Sequence, residues 1–109
     1  MEKMLSQCSR EEQAMFDLFI NNIINKTFKV LPIWEDCEAQ NKNFVNFNSY
    51  LDKLTTLLAG SNYIYKEEKL YEIMMMLQGL GKRENLSQQK VKSIVFHCID
   101  TLKKINTEE

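Results

Sequence analysis

Residues that form turns are scarce in this chain, and that scarcity most constrains its fold. The 109 residues include three glycines and one proline. An all-β domain needs a tight turn between most of its strands, and glycine and proline supply many of those turns. Apolar residues also recur at three- and four-residue steps, which is the period of one face of a helix. We therefore predict an all-α domain.

The first half of the chain predicts two main helices and a shorter one between them. Ser9 and Glu12 form a capping box that begins the first helix. Pro32 is expected to end that helix at Leu31, because a proline disfavours helical geometry in the residue before it. The same proline is expected to open a short helix, since proline suits the first helical position. An asparagine-rich entry turn over residues 40–48 then leads into the apolar stripe Phe44, Phe47, Leu51, Leu54 and Leu58.

The second half predicts two further main helices. Gly60 is expected to end the preceding helix in a left-handed conformation, and Gly81 to end a helix that runs from about Tyr65 to Leu80. Ser87 is expected to cap the last helix. The last helix carries the apolar stripe Val91, Ile94, Val95, Cys98, Ile99, Leu102 and Ile105.

Together these segments predict one domain over residues 1–109, with frayed ends at residues 1–8 and 106–109. Its expected architecture is a compact bundle of four main helices plus a short helix after Pro32.

Charge and cysteine content narrow the class of protein. With 14 basic and 15 acidic residues the net charge is −1, which does not favour a strongly basic nucleic-acid binder. No apolar run is long enough to span a bilayer, so no membrane association is predicted. The three cysteines, Cys8, Cys37 and Cys98, are widely spaced and include no C-x-x-C pair. This spacing suits neither a disulfide framework nor a zinc site and favours a reducing, cytoplasmic location.

Residues that could carry catalysis are few. His97 is the only histidine, and helical spacing places it about 120° from the centre of the apolar face of its helix. The carboxylate pairs lie in the first turns of helices, where interaction with the helix dipole explains them. No catalytic residue, metal ligand or cofactor site is predicted, and we expect the protein not to be an enzyme.

Some apolar residues lie outside the core stripes, and these favour a function in protein binding. We predict a non-catalytic module of the inhibitor, immunity or adaptor type, which covers the surface of a partner protein. The partner is another protein or a second copy of this chain. The competing interpretation is that the methionine-rich third helix is buried on several sides. The candidate partner-binding residues are Tyr71, Met75, Met76, Phe96, Leu18 and Phe28.

The charge distribution leaves nucleic-acid binding as the alternative function. Residues 82–104 hold six basic against two acidic residues, whereas the preceding part of the chain is acidic. The segment 85–93 (NLSQQKVKS), followed by Leu102, Lys103 and Lys104, resembles the recognition helix of helix-turn-helix proteins such as region four of sigma factors. The resemblance implies that the capped start of this helix enters the major groove. The candidate residues for nucleic acid are Lys82, Arg83, Gln88, Gln89, Lys90, Lys92, Lys103 and Lys104.

Overall fold

The computed structural model describes residues 10–40, 43–82 and 86–107. These ranges contain five α-helices and no strand. The helices are α1 (Arg10–Phe28), α2 (Val30–Ala39), α3 (Val45–Ala59), α4 (Glu68–Lys82) and α5 (Gln88–Thr107). The predicted all-α bundle of four main helices and one shorter helix is confirmed. The proposed capping box includes Ser9, which lies outside the described residues.

The helices enclose one apolar core. Helix α5 packs against α1, α2 and α4, and α3 packs against α2 and α4. The predicted stripe of the last helix faces this core, with Ile94 only partly buried. Two aromatic groups extend the core: the ring of Tyr63 contacts Phe16 and Phe19 of α1, and Phe44 contacts Trp34 and Phe47.

The junction between α1 and α2 differs from the prediction. Helix α1 ends at Phe28 rather than at Leu31, and α2 begins at Val30, so Pro32 is its third residue. The physical reason is that a proline ring collides with the carbonyl four residues earlier, which is that of Phe28. Proline is tolerated in the first turn of α2 because the first four amide groups of a helix have no intrahelical partner.

Two hydrogen bonds stabilise this junction. The amide of Lys29 donates to the carbonyl of Lys26 at 3.2 Å, which closes the last turn of α1. The hydroxyl of Tyr50 in α3 donates to the same carbonyl at 2.8 Å. A side chain from α3 therefore gives a second hydrogen bond to a carbonyl in the last turn of α1.

The ends of α3 and α4 also correct the prediction. Gly60 has φ −84° and ψ −4°, which is right-handed geometry. No left-handed residue is needed because the amide and the hydroxyl of Ser61 both donate to the carbonyl of Leu58, at 3.1 and 2.9 Å. Helix α3 begins at Val45, inside the expected entry turn, and α4 continues past Gly81. A Cβ at Gly81 would lie 3.5 Å from the side chain of Leu51, so this glycine lies where α4 packs closely against α3.

Helix α4 begins at Glu68, three residues later than predicted, because residues 62–66 form a turn. The amides of Lys66 and Glu67 donate to the carbonyl of Tyr63 at 3.0 and 2.9 Å. The Tyr63 ring is in turn held by aromatic side chains of α1. These contacts join parts of the chain that are distant in sequence, so the local pattern could not reveal them.

Helix α5 has the predicted N-cap. The amide of Lys90 donates to the Ser87 hydroxyl oxygen at 3.1 Å, and the amide of Val91 donates to the Ser87 carbonyl at 3.0 Å. Leu86, just before the cap, packs against the core. The helix runs to Thr107, so it includes two of the residues that were expected to fray.

Candidate protein-binding surfaces

The outward side of α4 carries two large side chains that are about half exposed. Tyr71 keeps 51% of its surface and Met75 keeps 48%. They are four residues apart in a helix, so they are neighbours on successive turns. We call these two residues the α4 patch. The opposite side of the helix is buried in the core through Leu70, Ile73, Met74, Leu77 and Leu80, as the spacing predicted.

Acidic side chains border the α4 patch. Glu68 precedes Tyr71 by three residues, Glu72 precedes Met75 by three residues, and both glutamates are exposed. This spacing places each carboxylate beside a side chain of the patch. Gly79 continues the same side of the helix, and a Cβ built there would meet no atom within 4 Å. The patch therefore has negative charge at its N-terminal end and open backbone at its C-terminal end.

Met76 differs from its neighbour Met75. It is partly buried and packs against the core. Successive helical residues project about 100° apart, so the two side chains lie on different sides of α4. Helix α4 is therefore buried on the sides that carry Met74 and Met76, whereas the side that carries Met75 is exposed.

A second exposed aromatic residue lies on α5. Phe96 keeps 45% of its surface. Lys92, four residues before it, and Lys103, seven residues after it, are exposed on the same side of the helix. Asp100, which is also exposed, lies about 40° further round the helix. The side chains around Phe96 therefore carry charges of both signs, and positive charge predominates.

Helix α1 carries the other two predicted residues. Leu18 is 68% exposed and Phe28 is 43% exposed. Met15, which the sequence analysis did not select, is 60% exposed and lies three residues before Leu18. These two residues are neighbours on the helix surface. Phe28 projects about 80° away from Leu18, so it lies on a different side of α1.

Three further exposed apolar residues were missed. Val45 is 69% exposed, Leu57 is 38% exposed and Tyr65 is 91% exposed. The helical-spacing test that selected Phe96 would also have found Val45 and Leu57, since both lie 100° or more from the α3 stripe. Tyr65 was assigned to the start of a helix and instead lies in the turn before α4.

The predicted binding residues lie on three helices, α1, α4 and α5. In the described part of the chain, ring contacts join Tyr63 to α1 and Phe44 to Trp34 and Phe47, and they include neither Tyr71 nor Phe96. Large apolar side chains are therefore exposed on α1, α4 and α5.

The residues of the alternative, nucleic-acid interface are divided between two sides of α5. Lys92 and Lys103 lie on one flank of the apolar stripe, and Lys90 and Lys104 lie on the other, about 100–160° away. All four lysines and Gln89 are exposed. The side chains of Lys82 and Arg83 lie outside the described residues. The helical geometry therefore does not give these lysines one continuous basic edge.

A carboxylate also lies at the start of the proposed recognition helix. The side-chain amide of Gln88 donates a hydrogen bond to the carboxylate of Glu35 in α2. A negative charge there interacts favourably with the N-terminus of α5. The same charge would repel a phosphate that approached this first turn.

The groups that could carry catalysis are not assembled in the described residues. His97 is exposed on α5, whereas Cys37 and Cys98 are buried free thiols. Burial raises the pKa of Cys98 to about 12. Deprotonation to the nucleophilic thiolate is therefore strongly disfavoured. Among the described residues, no group of three or more His, Cys, Asp or Glu side chains is placed to hold a metal ion.

One cleft of about 340 Å³ lies between α2 and α3. Its walls carry both charges, from Asp36 and Lys53, and both side chains are exposed. Tyr50 also lines the cleft, and burial raises the pKa of its hydroxyl group. The cleft has open walls and exposed side chains, unlike a site that encloses a small ligand.

Comparison with protein-family models, with curated proteins and with solved structures gives no match. No described helix is both long and apolar enough to cross a membrane.

Proposed function

We propose that this protein is a non-catalytic binding module that covers the surface of a partner protein, in the manner of an inhibitor, immunity protein or adaptor. The observation that carries the proposal is the α4 patch, in which Tyr71 and Met75 are half exposed on one side of a helix. Apolar side chains on adjacent turns are the usual anchors of a helix that binds in a groove.

The chemistry of the patch suits a protein partner. Tyrosine combines a large apolar ring with a hydroxyl that can remain hydrated, and it is enriched at binding hot spots. Methionine adapts to irregular surfaces because its chain is unbranched and flexible. Burial of the exposed half of each side chain would contribute roughly 1–2 kcal/mol of binding free energy. Glu68 and Glu72 would favour a partner surface with positive charge.

Under this proposal the protein has no catalytic activity and is located in a reducing compartment such as the cytoplasm. Support for the first part is the burial of Cys98 and the exposure of His97 away from it. Support for the second part is that Cys37 and Cys98 are both buried as free thiols, which behave there as small apolar residues.

The test is affinity capture from the native cell with three forms of the full chain. The parent should retain a specific partner, and the Tyr71→Ser/Met75→Ser variant should lose at least about tenfold of that signal. Tyr65→Ser is the matched control, because Tyr65 is an exposed tyrosine on a different element. Circular dichroism must show that all three forms fold. Equal retention of the partner by the parent and the double variant would refute the proposal.

Nucleic-acid binding through α5 is the second candidate. It is favoured by the observed Ser87 cap and by exposed Gln89, Lys90 and Lys92 in the first turns of the helix. The Glu35 carboxylate at the same helix start counts against it. Fluorescence anisotropy with a labelled DNA duplex decides between the two. This candidate requires affinity that falls steeply with salt and falls again in Lys90→Gln/Lys92→Gln.

A further inference from the structure

The outward side of α1 carries only uncharged exposed side chains from Ala14 to Asn25. We define the outer face of α1 as the exposed residues Ala14, Met15, Leu18, Asn22 and Asn25, which helical spacing places within about 100° of one another. Leu18 and Met15 are 68% and 60% exposed. An exposed helix face usually carries charged residues. This face carries apolar and amide side chains, and depletion of charge is characteristic of interface cores.

The one charged residue within this part of α1 does not lie on the outer face. Asp17 projects about 100° away from Leu18. Its carboxylate accepts a hydrogen bond from the side-chain amide of Gln13, four residues earlier, at 3.2 Å. Gln13 lies on the side of Asp17 that is further from Leu18. The negative charge is therefore directed away from the outer face.

No described element covers this face. Helix α1 packs against α5 and α2. It does so through its opposite side, where Ile20, Ile23 and Thr27 are fully buried. Leu18 lies about 160–170° from the centre of that buried side. The outer face is thus available to a partner while the core of the domain stays intact.

The charges at the two ends of the face make it complementary to itself. Glu11 is exposed at its N-terminal end and Lys29 is exposed just beyond its C-terminal end. They are on the same side of the helix, about 27 Å apart along the axis. A second copy in antiparallel orientation would place Glu11 of each chain beside Lys29 of the other. A parallel orientation would place like charges together and would align the helix dipoles unfavourably.

We infer that α1 binds α1 of a second copy in an antiparallel arrangement about a two-fold axis. The axis lies at the level of Ile20, so that Leu18 is level with Asn22 of the second copy and Met15 is level with Asn25. The asparagine amides provide donors and acceptors at the interface, and Leu18 and Met15 lose their exposed apolar surface. Such an interface is isologous, with each residue pair occurring twice. It is separate from the α4 patch and extends beyond the proposed function.

The first experiment measures the oligomeric state by sedimentation equilibrium in 50 mM NaCl, over about 10 µM to 1 mM protein. One helix pair over about 27 Å makes a small interface, so we expect a dissociation constant of roughly 10–500 µM. The dimer should have twice the 12.9 kDa mass of the chain. Leu18→Glu should raise the dissociation constant at least tenfold. Val45→Glu is the matched control because Val45 is 69% exposed on α3, and it should leave the constant within twofold.

A charge exchange tests the orientation. Glu11→Lys should weaken the dimer about three- to tenfold, and Lys29→Glu should do the same, because each change replaces two attractive pairs by two repulsive ones. The double variant Glu11→Lys/Lys29→Glu reverses every pair and should return to within twofold of the parent. Circular dichroism establishes that each variant is folded, and Leu18→Gln replaces Leu18→Glu if the latter is not.

Three outcomes would overturn the inference. They are a parent that stays monomeric at 1 mM, a Val45→Glu variant as weakened as Leu18→Glu, and a double charge variant that does not recover. None of these outcomes bears on the α4 patch, so the inference and the proposed function can fail independently.

Discussion

A methyl group at Gly79 would extend into open space, since a Cβ there meets no atom within 4 Å. The residue lies inside α4, where glycine costs conformational entropy in comparison with alanine. We therefore expect Gly79→Ala to raise the free energy of unfolding by about 0.5–1 kcal/mol, measured by urea denaturation. Gly60→Ala is the comparison, because its Cβ would lie 3.3 Å from the Thr56 carbonyl oxygen. A gain at Gly60 equal to that at Gly79 would contradict this explanation.

The Cys98 thiol should be unreactive in the folded protein. It is fully buried, and burial raises its pKa to about 12. At pH 8 the folded protein therefore contains almost no thiolate at this position, whereas the unfolded chain has an ordinary thiol pKa near 8.5. We expect iodoacetamide to modify Cys98 in urea and to leave it unmodified in buffer, as judged by peptide mass spectrometry. Rapid modification in buffer would show that this part of the core opens.

The raised pKa of Cys98 also makes the free energy of unfolding depend on pH. Because the folded pKa is raised, the unfolded chain releases the Cys98 proton first as the pH increases. The contribution of this group to stability is complete below about pH 8.5 and is lost progressively between there and pH 12. Cys98→Ala should reduce the steepness of the alkaline loss in the free energy of unfolding.

At the scale of the element, the Ser87 cap is the local interaction that most directly stabilises a helix. Its hydroxyl oxygen accepts the amide of Lys90 at 3.1 Å. Ser87→Ala should lower the free energy of unfolding by about 1 kcal/mol in urea denaturation, because one amide of the first turn loses its acceptor. Ser93→Ala, on the exposed side of the same helix, should change it by less than about 0.5 kcal/mol. Similar values for the two variants would show that the cap contributes little.

Helix positions were predictable where they depend on local interactions and were predicted wrongly where they depend on distant contacts. The α4 stripe of Leu70, Ile73 and Leu77 is buried as its spacing predicted, and the Ser87 cap forms as expected. The start of α4 was wrong because the Tyr63 turn depends on aromatic contacts from α1. A fold class follows from periodicity alone, whereas a helix boundary also depends on what packs beside it.

The sequence predicted the direction of the candidate binding residues around each helix better than their burial. Helical spacing identified Tyr71 and Phe96 as side chains that face away from the core, and both are about half exposed. It also selected Met76, which packs against the core. Spacing gives a direction around one helix, but it does not show which neighbouring helix occupies that direction. Which exposed residue binds a partner stays a prediction.

At the scale of the whole molecule, we expect the described helices to unfold together. Trp34 is the only tryptophan in the sequence and is 4% exposed. It belongs to α2, which packs against α1, α3 and α5. Its fluorescence and the helical circular dichroism signal should therefore change at the same urea concentration, as a single cooperative transition requires. A fluorescence change at lower urea would show that α2 detaches before the rest of the bundle.

The proline at the α1–α2 junction also limits the length of a single helix in this part of the chain. A continuous helix from residue 10 to residue 39 would be about 45 Å long, against about 30 Å for the 20 residues of α5. A helix of that length would be about half as long again as α5. Pro32 prevents this continuous helix, because its ring would clash with the backbone of the preceding turn. One residue thus divides this segment into two helices through its own sterics, before any core contact is made.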